Sequence, residues 1–313
     1  MKFMESNNNK AVIQWFVLLF LISSIFSAQA QQMPLYSQYM LNGFLLNPAM
    51  AGNVKYVPVS LTLRRQWAGL PGAPQTFALS GHTLLGVSEG VGGYIYNDIY
   101  GPVSRTGLQA AYAHHFEVSV KQKIALGLSL SASQYTLDKT KIDFGDDMYD
   151  PSVGDYEKES AFVPDANFGV YFYESDKYFA GASVAQLLQW NVKVGSINKN
   201  KMVVHYFLHG GYKFGINKDF KVEPSLLVKG VKGAPMQLDI NCKGYYKRNY
   251  WLGFSFRTDK SMVALLGIKY QIYYFGYAYD YSFGKISNYI NGSHEIVIGV
   301  NFGEQENRGS SLL

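Results

Sequence analysis

Apolar and polar residues alternate along most of the chain, with the period of two that places successive side chains on opposite faces of a β-strand. Segment 236–243 (MQLDINCK) is the clearest case, because its apolar residues, Cys242 included, take the even positions and its polar residues the odd ones. The pattern predicts about 14 strands, an even number typical of single-chain barrels. The segments are 57–66, 75–85, 91–100, 103–116, 123–135, 162–174, 178–188, 202–214, 220–231, 236–243, 250–257, 261–270, 272–282 and 294–302.

Two of these segments indicate what each face contacts. In 123–135, leucines at alternate positions form one face, and small residues such as Gly127 form the other. Small residues suit a crowded barrel interior, or a place where a plug or partner packs closely. In 272–282, an aromatic residue stands at every odd position from Tyr273 to Tyr281. Such a row is an aggregation hazard on a soluble surface and ordinary on a surface that faces lipid.

The first 30 residues predict a cleavable export signal. Lys2 and Lys10 precede an apolar run at 11–27, and Ala28-Gln29-Ala30 offers the small residues that signal peptidase needs. We therefore expect export by the Sec pathway and a mature chain that starts near Gln31. Export and long-range alternation together predict an all-β protein, a transmembrane antiparallel β-barrel in an outer membrane. The alternative is a soluble secreted β-sandwich.

Composition agrees with a barrel. Aromatic residues make up 16% of the chain and 25 residues are Tyr, which suits the aromatic girdles where hydrocarbon meets water. The net charge of +5 is scattered, so we expect a solvated surface and no nucleic-acid partner. Cys242 is the only cysteine, which excludes an intramolecular disulfide and a cysteine-pair zinc site.

The chain divides into four predicted parts. Residues 1–30 are the signal peptide, 31–56 an apolar lead-in, 57–303 the barrel and 304–313 a polar tail. The lead-in carries so much apolar surface that either the barrel lumen or another protein must bury it. It is therefore a candidate plug segment.

Candidate chemistry is sparse. Residues 136–160 hold eight acidic residues against three lysines, and Asp143, Asp146, Asp147 and Asp150 are close enough in sequence to share a calcium ion or dock a protein partner. Their spacing does not match an EF-hand loop. The common catalytic, phosphate-binding and metal-binding motifs are absent from the sequence, so we expect no enzymatic activity and no cofactor. A barrel hydrolase would need a Ser and a His from different strands.

Three segments near the start of the mature chain resemble the PorP/SprF family of outer-membrane proteins from the type IX secretion and gliding machinery of Bacteroidetes. They read LYSQYMLNGFLLNPAMAGN, LRRQWAGLPGAPQTFALSGHTLL and GVGGYIYNDIYGPVSRTGLQAAYAHHF. The resemblance implies a non-enzymatic barrel that binds or anchors a secreted adhesin or other cargo, or works with the ring proteins of the machine. It also implies a lumen narrowed or blocked by protein, whereas a passive porin, the alternative, predicts an open polar lumen.

The resemblance allows roles to be assigned only to the residues of the shared motif. We expect these positions to serve as turns, strand ends and packing of the first hairpin, or as partner contacts. They are Asn47, Pro48, Ala49, Gly52, Arg65, Gln66, Trp67, Gly69, Gly72, Ala73, Pro74 and His82.

Overall fold

Strands dominate the computed structural model, which describes residues 33, 36–142, 158–194 and 197–303. Four short 3-10 helices lie at Gly43–Leu45, Pro48–Met50, Lys139–Lys141 and Lys285–Tyr289. The strands are β1 (Val57–Arg65), β2 (Gln75–Leu85), β3 (Glu89–Tyr100), β4 (Val103–Glu117), β5 (Gln122–Asp138), β6 (Lys158–Glu174), β7 (Tyr178–Ala185), β8 (Asn191–Val194), β9 (Ile197–Lys201), β10 (His205–Tyr212), β11 (Phe214–Gly215), β12 (Phe220–Val231), β13 (Gln237–Tyr246), β14 (Tyr250–Arg257), β15 (Ser261–Tyr270), β16 (Tyr273–Ser282) and β17 (Ser293–Phe302).

The sheet closes on itself. Each barrel strand pairs antiparallel with its neighbours, β17 pairs with β1, and β10 pairs with β12. The short β11 continues β10 along the same edge of β12, while β8 and β9 pair only with each other. The barrel therefore has 14 strands, and the predicted all-β antiparallel barrel of about 14 strands is confirmed.

Individual strand bounds differ from the prediction in a few places. The predicted strand 178–188 ends at Ala185, the predicted strand 202–214 begins at His205, and β5 continues three residues past 135 to Asp138. The β8–β9 hairpin was not predicted, because strands of four and five residues are too short for alternation to stand out.

The two faces of the wall are the reverse of those in a soluble protein. On β13 the inward side chains of Asp239, Asn241 and Lys243 are at most 2% exposed, while Ile240 on the outer face is 48% exposed. The outer face of β16 carries the predicted aromatic row, in which Tyr273 is 57% exposed. An apolar outside around a polar inside is the arrangement that a lipid bilayer stabilises.

The two ends of the barrel differ. One end, the turn rim, holds the short connections 86–88, 118–121, 175–177, 216–219, 247–249 and 271–272, together with the start of β1 and the end of β17. The other end, the loop rim, holds the short connections 101–102, 232–236 and 258–260 and the longer ones 66–74, 186–204 and 283–292. It also holds the connection that follows β5, of which residues 143–157 lie outside the described part.

Across the described ranges, we find no helix that is both long enough and apolar enough to span a bilayer.

The single cysteine offers a test of the lipid-facing surface. Cys242 is exposed on the outer face, opposite Pro224 and Phe254 in the middle of β12 and β14. A nitroxide attached there in lipid vesicles should collide more often with oxygen than with a water-soluble nickel chelate in power-saturation EPR. The control carries Cys242→Ser with Val87→Cys, because Val87 in the turn 86–88 is 72% exposed and should show the opposite preference. Nickel access at residue 242 as high as at residue 87 would contradict the barrel's placement in lipid.

Candidate functional site

Residues 36–56 run through the interior of the barrel. Their side chains include Phe44, Leu45 and Met50, which are at most 5% exposed. The segment forms hydrogen bonds with inward-facing side chains of β2, β13 and β17 and with a backbone carbonyl of β6, strands on different sides of the lumen. It contacts charged residues near the loop rim at Ser37 and reaches the turn rim at Tyr56, where β1 begins. We call residues 36–56 the plug.

The loop-rim end of the plug is held by a carboxylate. Glu295 of β17 accepts hydrogen bonds from the backbone N–H groups of Ser37 and Gln38, at 2.6 and 2.7 Å. Its side chain is fully buried and also pairs with Arg64 of β1 at 3.3 Å. Two amide donors and a guanidinium compensate the carboxylate for the water it has lost, and hydrogen bonds to a charged acceptor are the stronger kind.

A second carboxylate extends this anchor. Asp280 of β16 accepts from Arg64 at 3.1 Å and from Arg257 at 2.8 Å. The hydroxyl of Ser37 accepts from both arginines, at 2.6 and 3.0 Å, and donates to Asp280 at 3.2 Å. The plug therefore completes a buried network that joins four wall strands, β1, β14, β16 and β17.

The middle of the plug binds the wall through polar side chains of β13. Asn241 donates to the hydroxyl of Tyr39 at 2.7 Å, and the Lys243 ammonium donates to the carbonyl of Met40 at 3.3 Å. The ammonium of Lys229 lies 5.6 Å from the centre of the Tyr39 ring. These contacts lie on the polar face that the alternation of 236–243 predicted.

Glycines of the wall provide the seat for residues 47–51. A Cβ atom at Gly90 would lie 1.9 Å from the Ala51 carbonyl oxygen, and one at Gly127 would lie 2.2 Å from the Ala49 nitrogen. One at Gly169 would lie 2.0 Å from Oδ1 of Asn47. No side chain fits at these distances, so close approach of the plug requires glycine. The prediction that the small-residue face of 123–135 meets a closely packed segment is confirmed at Gly127.

Asn47 holds the same region by hydrogen bonds. Its Oδ1 caps the short helix at Pro48–Met50 by accepting from the Ala49 N–H at 3.0 Å. Its Nδ2 donates to the carbonyl of Val170 at 3.1 Å and lies 3.4 Å from Nε2 of His209. The side chain thereby links the plug to β6 and β10.

Two further histidines contact the plug backbone. Nδ1 of His82 accepts from the Gly52 N–H at 3.1 Å, and Nε2 of His115 donates to the Ala51 carbonyl at 2.7 Å. Five motif residues thus meet inside the barrel at the seat. They are Asn47, Pro48, Ala49, Gly52 and His82.

The other motif residues lie at the loop rim, at the end of β1 and in the β1–β2 connection. This connection is braced against the end of the barrel, since the Ala68 N–H donates to the Gly292 carbonyl at 2.8 Å and the Trp67 N–H to the Ser293 hydroxyl at 3.1 Å. The structure does not bring these other motif residues to the seat. They are Arg65, Gln66, Trp67, Gly69, Gly72, Ala73 and Pro74.

Sequence reasoning missed the charged anchor. Arg64, Arg257, Asp280 and Glu295 all occupy the polar parity of predicted strands, which was the available signal. Parity places a side chain in the lumen but does not say which residue of another strand faces it. The motif contains Arg65, which is exposed, whereas its neighbour Arg64 is the buried anchor.

Little open space remains in the described interior. The best-defined cavities there have volumes of about 30 Å³ and below, which is room for a few water molecules. Near the loop rim, Val192 and Met202 from the hairpin region pack on Tyr135 and Val163 of the wall. The plug and the residues flanking the hairpin therefore both pack against the inner face of the described wall.

No group of three or more potential metal ligands occurs among the residues that the structure describes. The calcium or docking candidates Asp143, Asp146, Asp147 and Asp150 lie outside the described residues, and their role stays a prediction.

Substitution of a seat glycine tests the close packing of plug and wall. Gly127→Ala should lower the free energy of unfolding by about 1–3 kcal/mol, because the new Cβ overpacks against Ala49. Urea unfolding of the refolded barrel in detergent measures the loss. Gly244→Ala is the matched control, since its Cβ would have no neighbour closer than 3.8 Å, and it should be neutral. Equal effects of the two substitutions would contradict the seat.

Solved structures show the same fold. The toluene transporter TbuX of Ralstonia pickettii superposes with a TM-score of 0.52 at 10% identity, over 83% of this chain and 93% of that one. The CymD monoaromatic hydrocarbon channel gives a TM-score of 0.49 at 12% identity, over 83% and 91%. At these low identities the similarity shows a shared fold and nothing more. The superposition on TbuX is the one that supports this conclusion.

A search of curated proteins found no match at a significant level. The family comparison did find one: residues 28–300 match the family described as type IX secretion system membrane protein PorP/SprF. The match spans most of the chain, and the resemblance noted from the three sequence segments is confirmed. The barrel fold and this family both point to the outer membrane. The chain belongs to the PorP/SprF family of type IX secretion system membrane proteins.

Proposed function

We propose that this protein is a closed, non-enzymatic component of the type IX secretion and gliding machinery that binds or anchors a secreted adhesin or other cargo, or machine partners such as the ring proteins. Its predicted signal peptide would deliver it to the Sec pathway. The alternative is a passive porin or transporter, in which solutes cross through the lumen.

The observation that carries the proposal is the occupied lumen. A porin needs a continuous polar opening, whereas here residues 36–56 fill the space and bind the wall along its whole height. The charged side chains that would attract solutes in a porin, such as Glu295 and Lys243, are instead bonded to the plug backbone. A barrel built in this way is suited to hold proteins at its rims.

The loop rim is the surface that we assign to cargo. Outer-membrane barrels place their short turns in the periplasm and their longer loops outside. The longest connections of this barrel lie at the loop rim, whereas the start of β1 and the end of β17 lie at the turn rim. The loop 66–74 is braced by residues 291–293, so it presents a fixed surface rather than a free loop. Ring proteins of the periplasm would meet the turn rim.

The proposed absence of enzymatic activity draws support from three histidines that contact the plug. His82, His115 and His209 each place a ring nitrogen within hydrogen-bond distance of a plug atom, which leaves these nitrogens committed to structure.

Conductance separates the proposal from the porin alternative. The full-length barrel should be silent in planar lipid bilayers, and Glu295→Ala should produce current steps, because it removes the acceptor of two plug N–H groups and leaves Arg64 without that partner. Removing one partner of a buried pair costs about 3–5 kcal/mol, enough to release this end of the plug.

Glu89→Ala is the control for this experiment, since Glu89 is a partly exposed glutamate at the turn rim whose partners, His114 and Tyr112, belong to the wall and not to the plug. A heat-modifiable band on a gel confirms that each variant is a folded barrel. Steady conductance of the unmodified protein would favour the porin.

Pull-down from detergent-solubilised outer membrane, read by mass spectrometry, tests the partner. We expect a large surface protein or the ring proteins to be recovered with the barrel. Arg65→Glu with Trp67→Ala should lower recovery of a surface protein about tenfold at an unchanged barrel level, because charged and aromatic residues carry much of the energy of interfaces. Lys232→Gln, an exposed residue on the same rim, is the control. Recovery of the barrel with no companion would contradict the proposal.

A further inference from the structure

The turn between β13 and β14 has an unusual choice of residues. The Asn249 N–H donates to the Tyr246 carbonyl at 3.2 Å, and the two central residues have positive φ, 49° at Lys247 and 60° at Arg248. This is a type I′ turn, in which left-handed conformations at both positions favour Asn and Gly. Lys247 and Arg248 adopt these left-handed conformations at a conformational cost. A local outlier of this kind calls for a functional explanation.

A neighbouring turn adds to the basic character of this place. The Lys247 N–H donates to the Asp219 carbonyl at 2.7 Å, which joins the turn 247–249 to the end of the connection 216–219. Lys218, Lys247 and Arg248 are all exposed, and Asp219 is the acidic residue among them. A hydrogen bond with Tyr246 and the charge of Asp219 raise the pKa of Lys247, so its ammonium stays charged at neutral pH. Three positive charges against one negative charge leave a net positive surface.

An aromatic strip lies directly beside these turns on the outer face of the barrel. The rings of Phe220 and Tyr246 are 4.8 Å apart, and those of Tyr246 and Tyr250 are 6.2 Å apart. The Lys247 ammonium sits 5.2 Å from the centre of the Tyr246 ring. Outward-facing aromatic residues at a barrel rim mark the boundary between hydrocarbon and water. The basic groups therefore lie at the depth of the lipid headgroups.

Basic residues are unevenly distributed along this rim. The turn 86–88 has no basic residue, and the turns 118–121 and 175–177 have one lysine each. Lys177 also lies over a tyrosine ring, that of Tyr178, but its ammonium pairs with Glu174 at 3.2 Å. Two adjacent basic residues with positive φ distinguish the turn 247–249 from these.

We propose that the turns 216–219 and 247–249, with the aromatic strip Phe220–Tyr246–Tyr250, form a binding site for anionic phospholipid headgroups in the leaflet at the turn rim. The phosphate would lie against Lys218, Lys247 and Arg248, while the acyl chains pack along the aromatic rings. Charge complementarity selects an anionic lipid over a zwitterionic one, since each basic residue near the membrane surface adds to the attraction. The site would hold the barrel at a set depth, independently of cargo binding.

Native mass spectrometry of the full-length barrel in detergent tests this site. The protein is mixed with equal amounts of phosphatidylglycerol and phosphatidylcholine, and the ratio of the two lipid adducts is recorded. The unmodified protein should favour phosphatidylglycerol, and the preference should weaken as salt rises. Lys247→Asn with Arg248→Gly should reduce the ratio by roughly fivefold or more for each charge removed.

This double variant separates lipid binding from folding, because Asn-Gly is the favoured pair in a type I′ turn. Lys232→Gln with Lys260→Asn is the matched control, since it removes two exposed charges from the loop rim, one of them at a position with φ of 68°. The control should keep the ratio of the unmodified protein. Equal adducts of the two lipids on the unmodified protein, or an equal drop in the double variant and the control, would overturn the proposal.

Discussion

The structure depends on how the backbone of an internal segment finds hydrogen-bond partners inside a closed barrel. The plug has lost water, and an unpaired amide or carbonyl there would cost more than most single packing contacts gain. The wall supplies the partners, with a carboxylate for the N–H groups at Ser37 and Gln38 and an imidazole for the carbonyl of Ala51. Several charged and polar side chains of the lumen therefore serve to bind the plug.

This constraint also explains the contrast between the two halves of the lumen. Near the loop rim the contacts are ionic, with Arg64, Arg257, Asp280 and Glu295 surrounding Ser37. Near the turn rim, hydrogen bonds of Asn47, His82 and His115 combine with glycines that let the chain approach the wall closely. The first arrangement holds the plug by charge, and the second holds it by neutral hydrogen bonds and close packing.

The motif residues lie close together in sequence, between Asn47 and His82, but serve two places. Asn47 and His82 hold the plug inside the barrel, while Trp67 belongs to a braced loop at the rim. The hairpin of β1 and β2 joins the two, because His82 lies inside the wall and the loop 66–74 lies at its end. One hairpin thus contributes to the plug seat and supports a braced loop at the loop rim.

The sequence by itself determined the wall, since alternation with a period of two decides which residues face lipid and which face the lumen. It also indicated tight packing at Gly127, because a run of small residues on one face has few other uses. Only the tertiary structure decided which inward residues meet, as Ser37 and Glu295 lie 258 positions apart and come together only when the barrel closes. The same holds for the role of Arg64, rather than Arg65, in the charged anchor. Parity places the two side chains on opposite faces of β1, but the partners of Arg64 on β16 and β17 come near it only in the folded barrel.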